Sequence, residues 1–175
     1  PSTLNCIDTL IEIDASNSST GNEFEYLWTS TSGNGIFSGA TTLTPLVNES
    51  GEYELVIENV LNGCADSSSI TVVSDTQLPI ADAGESEDIF CENPTTILNG
   101  NGSSIGSIYT YQWIGNGVFA GADSLVAETN QTGVFTLLVT NTENGCSSSD
   151  EVIVGGSTEF ISGATVIAID PDCFD

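Results

Sequence analysis

Apolar and polar positions alternate with a period of two along most of the chain. Phe24, Tyr26 and Trp28 alternate with Glu25 and Leu27, and Tyr109, Tyr111 and Trp113 are spaced in the same way. Tyr53, Leu55 and Ile57 alternate with Glu52, Glu54, Val56 and Glu58, and Phe135, Leu137 and Val139 take the same places further on. A period of two puts successive side chains on opposite faces of a pleated strand, so these segments are predicted to be half-buried antiparallel strands. No segment carries a helical stripe with a cap. Asn-Gly pairs at 34–35, 62–63, 116–117 and 144–145 supply turn residues that tolerate positive φ. Short strands at such spacing predict an all-β chain built from sandwiches.

The pattern occurs twice. Trp28 and Trp113 stand 85 residues apart, and after a three-residue difference the offset settles at 82. Gly33-Asn34-Gly35-Ile36-Phe37-Ser38-Gly39-Ala40 then matches Gly115-Asn116-Gly117-Val118-Phe119-Ala120-Gly121-Ala122, and Asn62-Gly63-Cys64 matches Asn144-Gly145-Cys146. Cys91 and Cys173 are also 82 apart. The expected organisation is a first repeat over 1–75, a second over 76–157, and a remainder, 158–175. That remainder is a linker or the start of a third repeat, and its β-rich stretch 158–169 could complete a neighbouring sheet by strand addition. In the second repeat we expect strand B near Thr96–Asn99, C at Tyr109–Ile114 and E near Ser124–Glu128. Strand F is expected at Val134–Asn141 and G at Glu151–Val154. Trp28 and Trp113 read either as core residues or as sugar-stacking platforms; alternation with polar neighbours favours the core.

Composition then removes whole classes of function. The chain of 175 residues has 25 acidic residues and no Lys, Arg, His or Met, a formal charge of −25. Nucleic acid would be repelled for want of cations against phosphate. No P-loop lysine, Schiff base, histidine metal site or Ser-His-Asp triad can be built. A pair of carboxylates can hydrolyse a glycoside unaided, but the acids fall mainly on outward strand positions and linkers and few match between repeats, so no enzyme is expected. With 39% hydrophobic residues the chain is not of the charged, apolar-poor kind that stays disordered. No apolar run approaches the roughly 18 residues of a membrane span. A start at Pro1 without any Met is expected of a mature segment lacking initiator and signal peptide.

The residues now in view resemble a known family. Pro79-Ile80-Ala81-Asp82-Ala83-Gly84, Leu98 to Ser104, Tyr109 to Trp113, Gly133 to Asn141 and Asn144-Gly145-Cys146 resemble the PKD-like, immunoglobulin-fold repeats of large secreted Bacteroidetes surface proteins. Gly-Asn-Gly stands where PKD domains usually carry Gly-Asp-Gly, which places the likeness in the PKD-like branch. The resemblance implies two tandem immunoglobulin-like sandwiches from an exported adhesin, gliding-motility protein, stalk or filament. It also implies export by the type IX route.

Five cysteines stand at 6, 64, 91, 146 and 173. Matched positions, and poles that coincide in such a sandwich, predict Cys6–Cys64 and Cys91–Cys146, with Cys173 left for a further module. Disulfides imply an oxidising, extracellular location; zinc is the alternative, but no Cys-x-x-Cys spacing occurs. Asp82, Glu85, Glu87 and Asp88 at one repeat boundary and Asp170 and Asp172 at the next read as a solvated acidic linker or as hard oxygen ligands for Ca²⁺. Asp8-Thr9-Leu10 and Asp123-Ser124-Leu125 resemble the O-glycosylation acceptor used in Bacteroidetes, with Thr9 and Ser124 as acceptors. Asn17, Asn48, Asn101 and Asn130 sit in Asn-x-Ser/Thr triplets, a pattern common by chance in a chain so rich in Ser and Thr. The expected role is a disulfide-stapled rod whose partners are neighbouring repeats or identical subunits. The rival is a module that binds glycan or protein through loops at the sandwich poles.

Overall fold

The computed structural model describes residues 3–31 and 33–157; Cys173, Asp170, Asp172 and the expected donor strand lie outside them. Among the described residues every regular element is a β-strand. The first repeat holds β1 (Thr3–Leu4), β2 (Ile11–Glu12), β3 (Phe24–Ser30), β4 (Ile36–Ser38), β5 (Leu46–Val47), β6 (Gly51–Asn59) and β7 (Cys64–Ser74). They form two sheets, in the orders β1-β7-β6-β3 and β2-β5-β4. Leu4, Trp28, Tyr53, Leu55 and Val72 from the first sheet and Ile11 and Val47 from the second share one buried cluster, so the sheets pack face to face. The alternation explains which residues go in. On β6, Tyr53 and Leu55 are buried while Glu52 and Glu54 between them are exposed.

The second repeat has the same order. β8 (Ile89–Phe90), β9 (Thr96–Asn99), β10 (Tyr109–Ile114), β11 (Val118–Ala120), β12 (Val126–Thr129), β13 (Gly133–Asn141), β14 (Ser147–Val154) and β15 (Gly156–Ser157) follow in turn. Their sheets run β10-β13-β14 and β11-β12-β9, with β15 paired to β8. One sheet of C, F and G strands facing another of D, E and B, with a short first strand parallel to G, is the immunoglobulin topology. The expected all-β fold of two immunoglobulin-like sandwiches is therefore the fold observed.

Local expectations fared unevenly. Strands B and C were placed at their observed limits. Strand E is shorter and later, Val126–Thr129, and strand G begins four residues earlier, at Ser147. In the first repeat's Gly33-Asn34-Gly35 turn, Gly33 and not Gly35 takes the positive φ, 88°. Gly35 is needed for another reason: a Cβ there would meet the Tyr53 hydroxyl.

Contacts gather the chain into two compact units that do not follow the repeat limits. The first is Pro1–Ile80 with Ser104–Thr110 and Val139–Ser148; the second is Ala81–Ser103, Tyr111–Leu138 and Ser149 onward.

Within the first unit, Tyr53 is fully buried near the start of β6. Its hydroxyl donates to the Glu49 carbonyl at 2.7 Å, with the Gly35 carbonyl 3.2 Å away. A tyrosine at this corner, bonded to backbone a few residues upstream, is a hallmark of immunoglobulin sandwiches. Burial, with the nearby Glu49 carboxylate adding to it, pushes the phenol above its usual range, while a hydrogen bond from Ser30 pulls the other way. Tyr53→Phe leaves two carbonyls without this donor and is expected to lower stability by about 1–2 kcal/mol. Because the folded pKa is raised, the contribution of Tyr53 is fully present below the unfolded value near 10 and is lost as pH rises through the folded value. Melting curves from pH 8 to 11 should therefore show a larger alkaline loss in the native chain than in Tyr53→Phe. Equal slopes would overturn this role for the phenol.

Candidate functional site

The best-defined chemical feature lies in the first unit around Cys6. Leu4 on β1 pairs in parallel with Ser74 at the far end of β7. Cys6, two residues further on, forms a disulfide with Cys146, Cα to Cα 5.0 Å, closing a sequence separation of 140 residues. The expected pairs Cys6–Cys64 and Cys91–Cys146 are both corrected by this bond. The reason is strand direction. Cys64 opens β7 and Ser74 closes it, a rise of roughly 33 Å at about 3.3 Å per residue. A first strand running parallel to β7 carries Cys6 to the opposite pole from Cys64. Cys64 is left as an exposed free thiol, and Cys91 is also exposed.

Several groups secure the bond. The Asn5 side-chain oxygen accepts the backbone N–H groups of Ile7 (2.8 Å) and Asp8 (2.6 Å), a turn that presents Cys6. The Cys6 N–H donates to the Asn144 carbonyl at 3.0 Å. The Asn144 side-chain amide donates to the Asp75 carboxylate and the Gln77 carbonyl, both at 3.0 Å. Its oxygen in turn accepts the Cys146 N–H at 3.0 Å. Asn144 is thus a buried amide with every strong direction used, as burial demands. Sequence reading missed Asn144, Asp75 and Gln77. The only signal was the recurrence of Asn-Gly-Cys.

Other anticipated residues fall in separate places. Trp28 and Trp113 are both buried in the core, which removes the sugar-platform reading. The Asp82 carboxylate accepts the Gly84 N–H at 2.9 Å, while Asp88 lies against Gly155. Glu85 and Glu87 line a surface hollow of about 540 Å³ with Glu128 and Asn99. Among the described residues no three carboxylate, thiol or imidazole groups come together as a metal-holding set, so Asp82, Glu85, Glu87 and Asp88 are not brought to one point. Thr9 and Ser124 are exposed, as are Asn17, Asn48, Asn101 and Asn130. Among the described residues no helix is long and apolar enough to cross a membrane.

No protein-family model matches the chain, and no curated protein matches it. Solved structures of tandem domains are similar in outline. Chicken VE-cadherin EC1-2 has 17% identity and a TM-score of 0.36, over 85% of this chain and 91% of that one. Drosophila N-cadherin EC1-4 has 11% identity and a TM-score of 0.37, over 78% of this chain and 41% of that one. The four N-terminal Ig domains of Dscam1 isoform 8.4 have 13% identity and a TM-score of 0.35, over 78% and 38% of the two chains. At such values the likeness adds no weight, and the topology stands on strand order and register.

Proposed function

We propose that the chain is a structural repeat segment of an extracellular surface protein, of adhesin, stalk or filament type, and not an enzyme. The observation that carries this reading is the Cys6–Cys146 bond, which joins the start of one repeat to the F–G turn of the next and closes 140 residues of chain. A cross-link of that span keeps most of the chain from extending, which suits a passive spacer. A structural disulfide also suits an oxidising compartment. The surface agrees with that role. Outward positions carry Glu, Ser, Thr and Asn beside apolar residues such as Leu27 and Ile153, and a chain without Lys or Arg offers no site to trypsin-type proteases. At −25 copies repel one another unless counter-ions screen them.

Glycan and protein arrays probed with the purified chain, together with micrographs of its native assembly, test the reading. The expected result is no saturable binding at micromolar concentration and a regular axial repeat. Saturable micromolar binding that is lost when pole-loop residues are changed would replace the spacer with a recognition module.

A further inference from the structure

The chain holds six Asn-Gly pairs, the four repeat turns together with 99–100 and 101–102. In such a pair the glycine nitrogen can close a five-membered ring on the asparagine amide, since glycine has no Cβ to hinder the approach. The fold decides whether it does, by bonding these groups or by keeping solvent base from them. Three pairs are held by hydrogen bonds. The Gly145 N–H donates to the Asn141 carbonyl at 2.8 Å, and the buried Asn144 amide is fully bonded. The Gly63 N–H donates to the Asn59 carbonyl at 2.8 Å, and the Asn62 side-chain oxygen accepts the Cys64 N–H at 2.9 Å. The Gly100 N–H donates to the Leu125 carbonyl at 2.8 Å, and the Asn99 side-chain oxygen accepts the Asn101 N–H at 3.2 Å. A fourth, Asn34–Gly35, is closed because Gly35 is buried against Tyr53.

Asn116–Gly117 differs on both counts. Both residues are exposed. Among the described residues neither the Asn116 side chain nor the Gly117 N–H makes a hydrogen bond. The cause is that one Gly-Asn-Gly sequence folds in two ways. In the first repeat Gly33 takes the positive φ, 88°, and Gly35 lies against Tyr53. In the second, Gly115 lies against Phe135 and Gly117 takes the positive φ, 79°. Asn101–Gly102 is also exposed and unbonded among the described residues. There, however, the Asp82 carboxylate occupies the place a Cβ of Gly102 would take, and its charge opposes the anion that the attacking nitrogen must become.

We propose that Asn116 is a site of spontaneous deamidation. Hydroxide removes the Gly117 N–H proton, and the nitrogen bonds to the Asn116 side-chain carbonyl carbon. The side-chain nitrogen leaves as ammonia. Water then opens the succinimide at either carbonyl, giving an aspartyl or an isoaspartyl residue at position 116. One water is consumed, one ammonia is released and nothing is oxidised. The isoaspartyl form adds a methylene to the main chain just before β11. It draws the Gly117 carbonyl from the Asn130 N–H, 3.4 Å away, and Val118 from its partner Thr129. With only three residues, β11 has little else to hold it. This goes beyond the spacer reading and does not rest on it.

The test holds the full chain at mildly alkaline pH and follows each pair by peptide mass spectrometry, with fragmentation that separates aspartyl from isoaspartyl. Asn116 should convert at least tenfold faster than Asn34, Asn62, Asn99 and Asn144, and faster than Asn101, at a rate that rises with pH. Asp82→Asn should speed Asn101 and leave Asn116 unchanged. In urea the six pairs should converge to within a few-fold. Amide exchange at Val118 and Asn130 should rise in the isoaspartyl chain and not in Asn116→Asp, which adds the charge without the methylene. An Asn116 no faster than the bonded pairs, a ranking that survives urea, or exchange unchanged by the isoaspartyl residue would each overturn the proposal.

Discussion

Replacing Cys6 and Cys146 together by serine is expected to lower stability by about 2–5 kcal/mol, the upper end being the chain-entropy value for so long a loop. For a unit of this size that is a fall in melting temperature of about 8 °C or more. Cys64→Ser, which touches no bond in the structure, should leave the melt unchanged. Pulling on the chain ends gives a second readout. With the bond intact, the 140 residues between the cysteines cannot extend; reduction should release roughly 460–500 Å of additional contour at 3.3–3.6 Å per residue. Pairing within repeats would hide spans of only 58 and 55 residues, roughly 370–410 Å in all. A release in that shorter range, or a reduced chain that melts like the oxidised one, would remove both the bond and the spacer mechanism built on it.

The second large effect is expected at Trp28. Its indole is buried among Tyr53, Leu55 and Val47, and its Nε1–H donates to the Thr42 carbonyl at 2.9 Å. Trp28→Ala should cost about 3–5 kcal/mol through the cavity left in the core, a large part of the 5–15 kcal/mol that holds a typical domain together. The two tryptophans provide an internal comparison. Trp113 is equally buried, yet its Nε1 has no hydrogen-bond partner among the described residues. Trp28→Phe therefore gives up a hydrogen bond worth about 1 kcal/mol that Trp113→Phe does not. Chemical denaturation of the two single variants should show the Trp28 change as the more harmful. Equal losses would mean that the Thr42 bond contributes nothing.

These two cases show how far the residue pattern reaches. Period-two alternation on Phe24–Trp28 and Gly51–Asn59 is enough to assign the inward faces, because a pleated strand exposes successive side chains to opposite sides. It identified Trp28, Tyr53, Leu55, Phe135 and Leu137 as core, and all are buried. The internal repeat carried the architecture from one copy to the other. The strand limits of Thr96–Asn99 and Tyr109–Ile114 were legible because turn residues bracket them closely. Strand β11 is only three residues long, too short for alternation to stand out.

The disulfide was not legible, for a specific reason. Its partners depend on β1, a strand of two residues, running parallel to β7. Two residues have no period and therefore announce neither direction nor neighbour. Matching positions in two copies suggested bonds within each copy, whereas parallel pairing carries Cys6 away from Cys64 and toward Cys146. Similarly, nothing local shows that Asn144 reaches Asp75 and Gln77, residues nearly a full repeat earlier.

By itself the sequence determined the strand faces, the two-fold repetition and the exclusion of chemistry that needs a Lys, Arg or His side chain supplied by these residues. Those follow from local alternation and from which side chains exist. Only the tertiary structure decided which cysteines meet. That depends on the direction in which a two-residue strand joins a sheet, and that direction is a property of the assembled ladder.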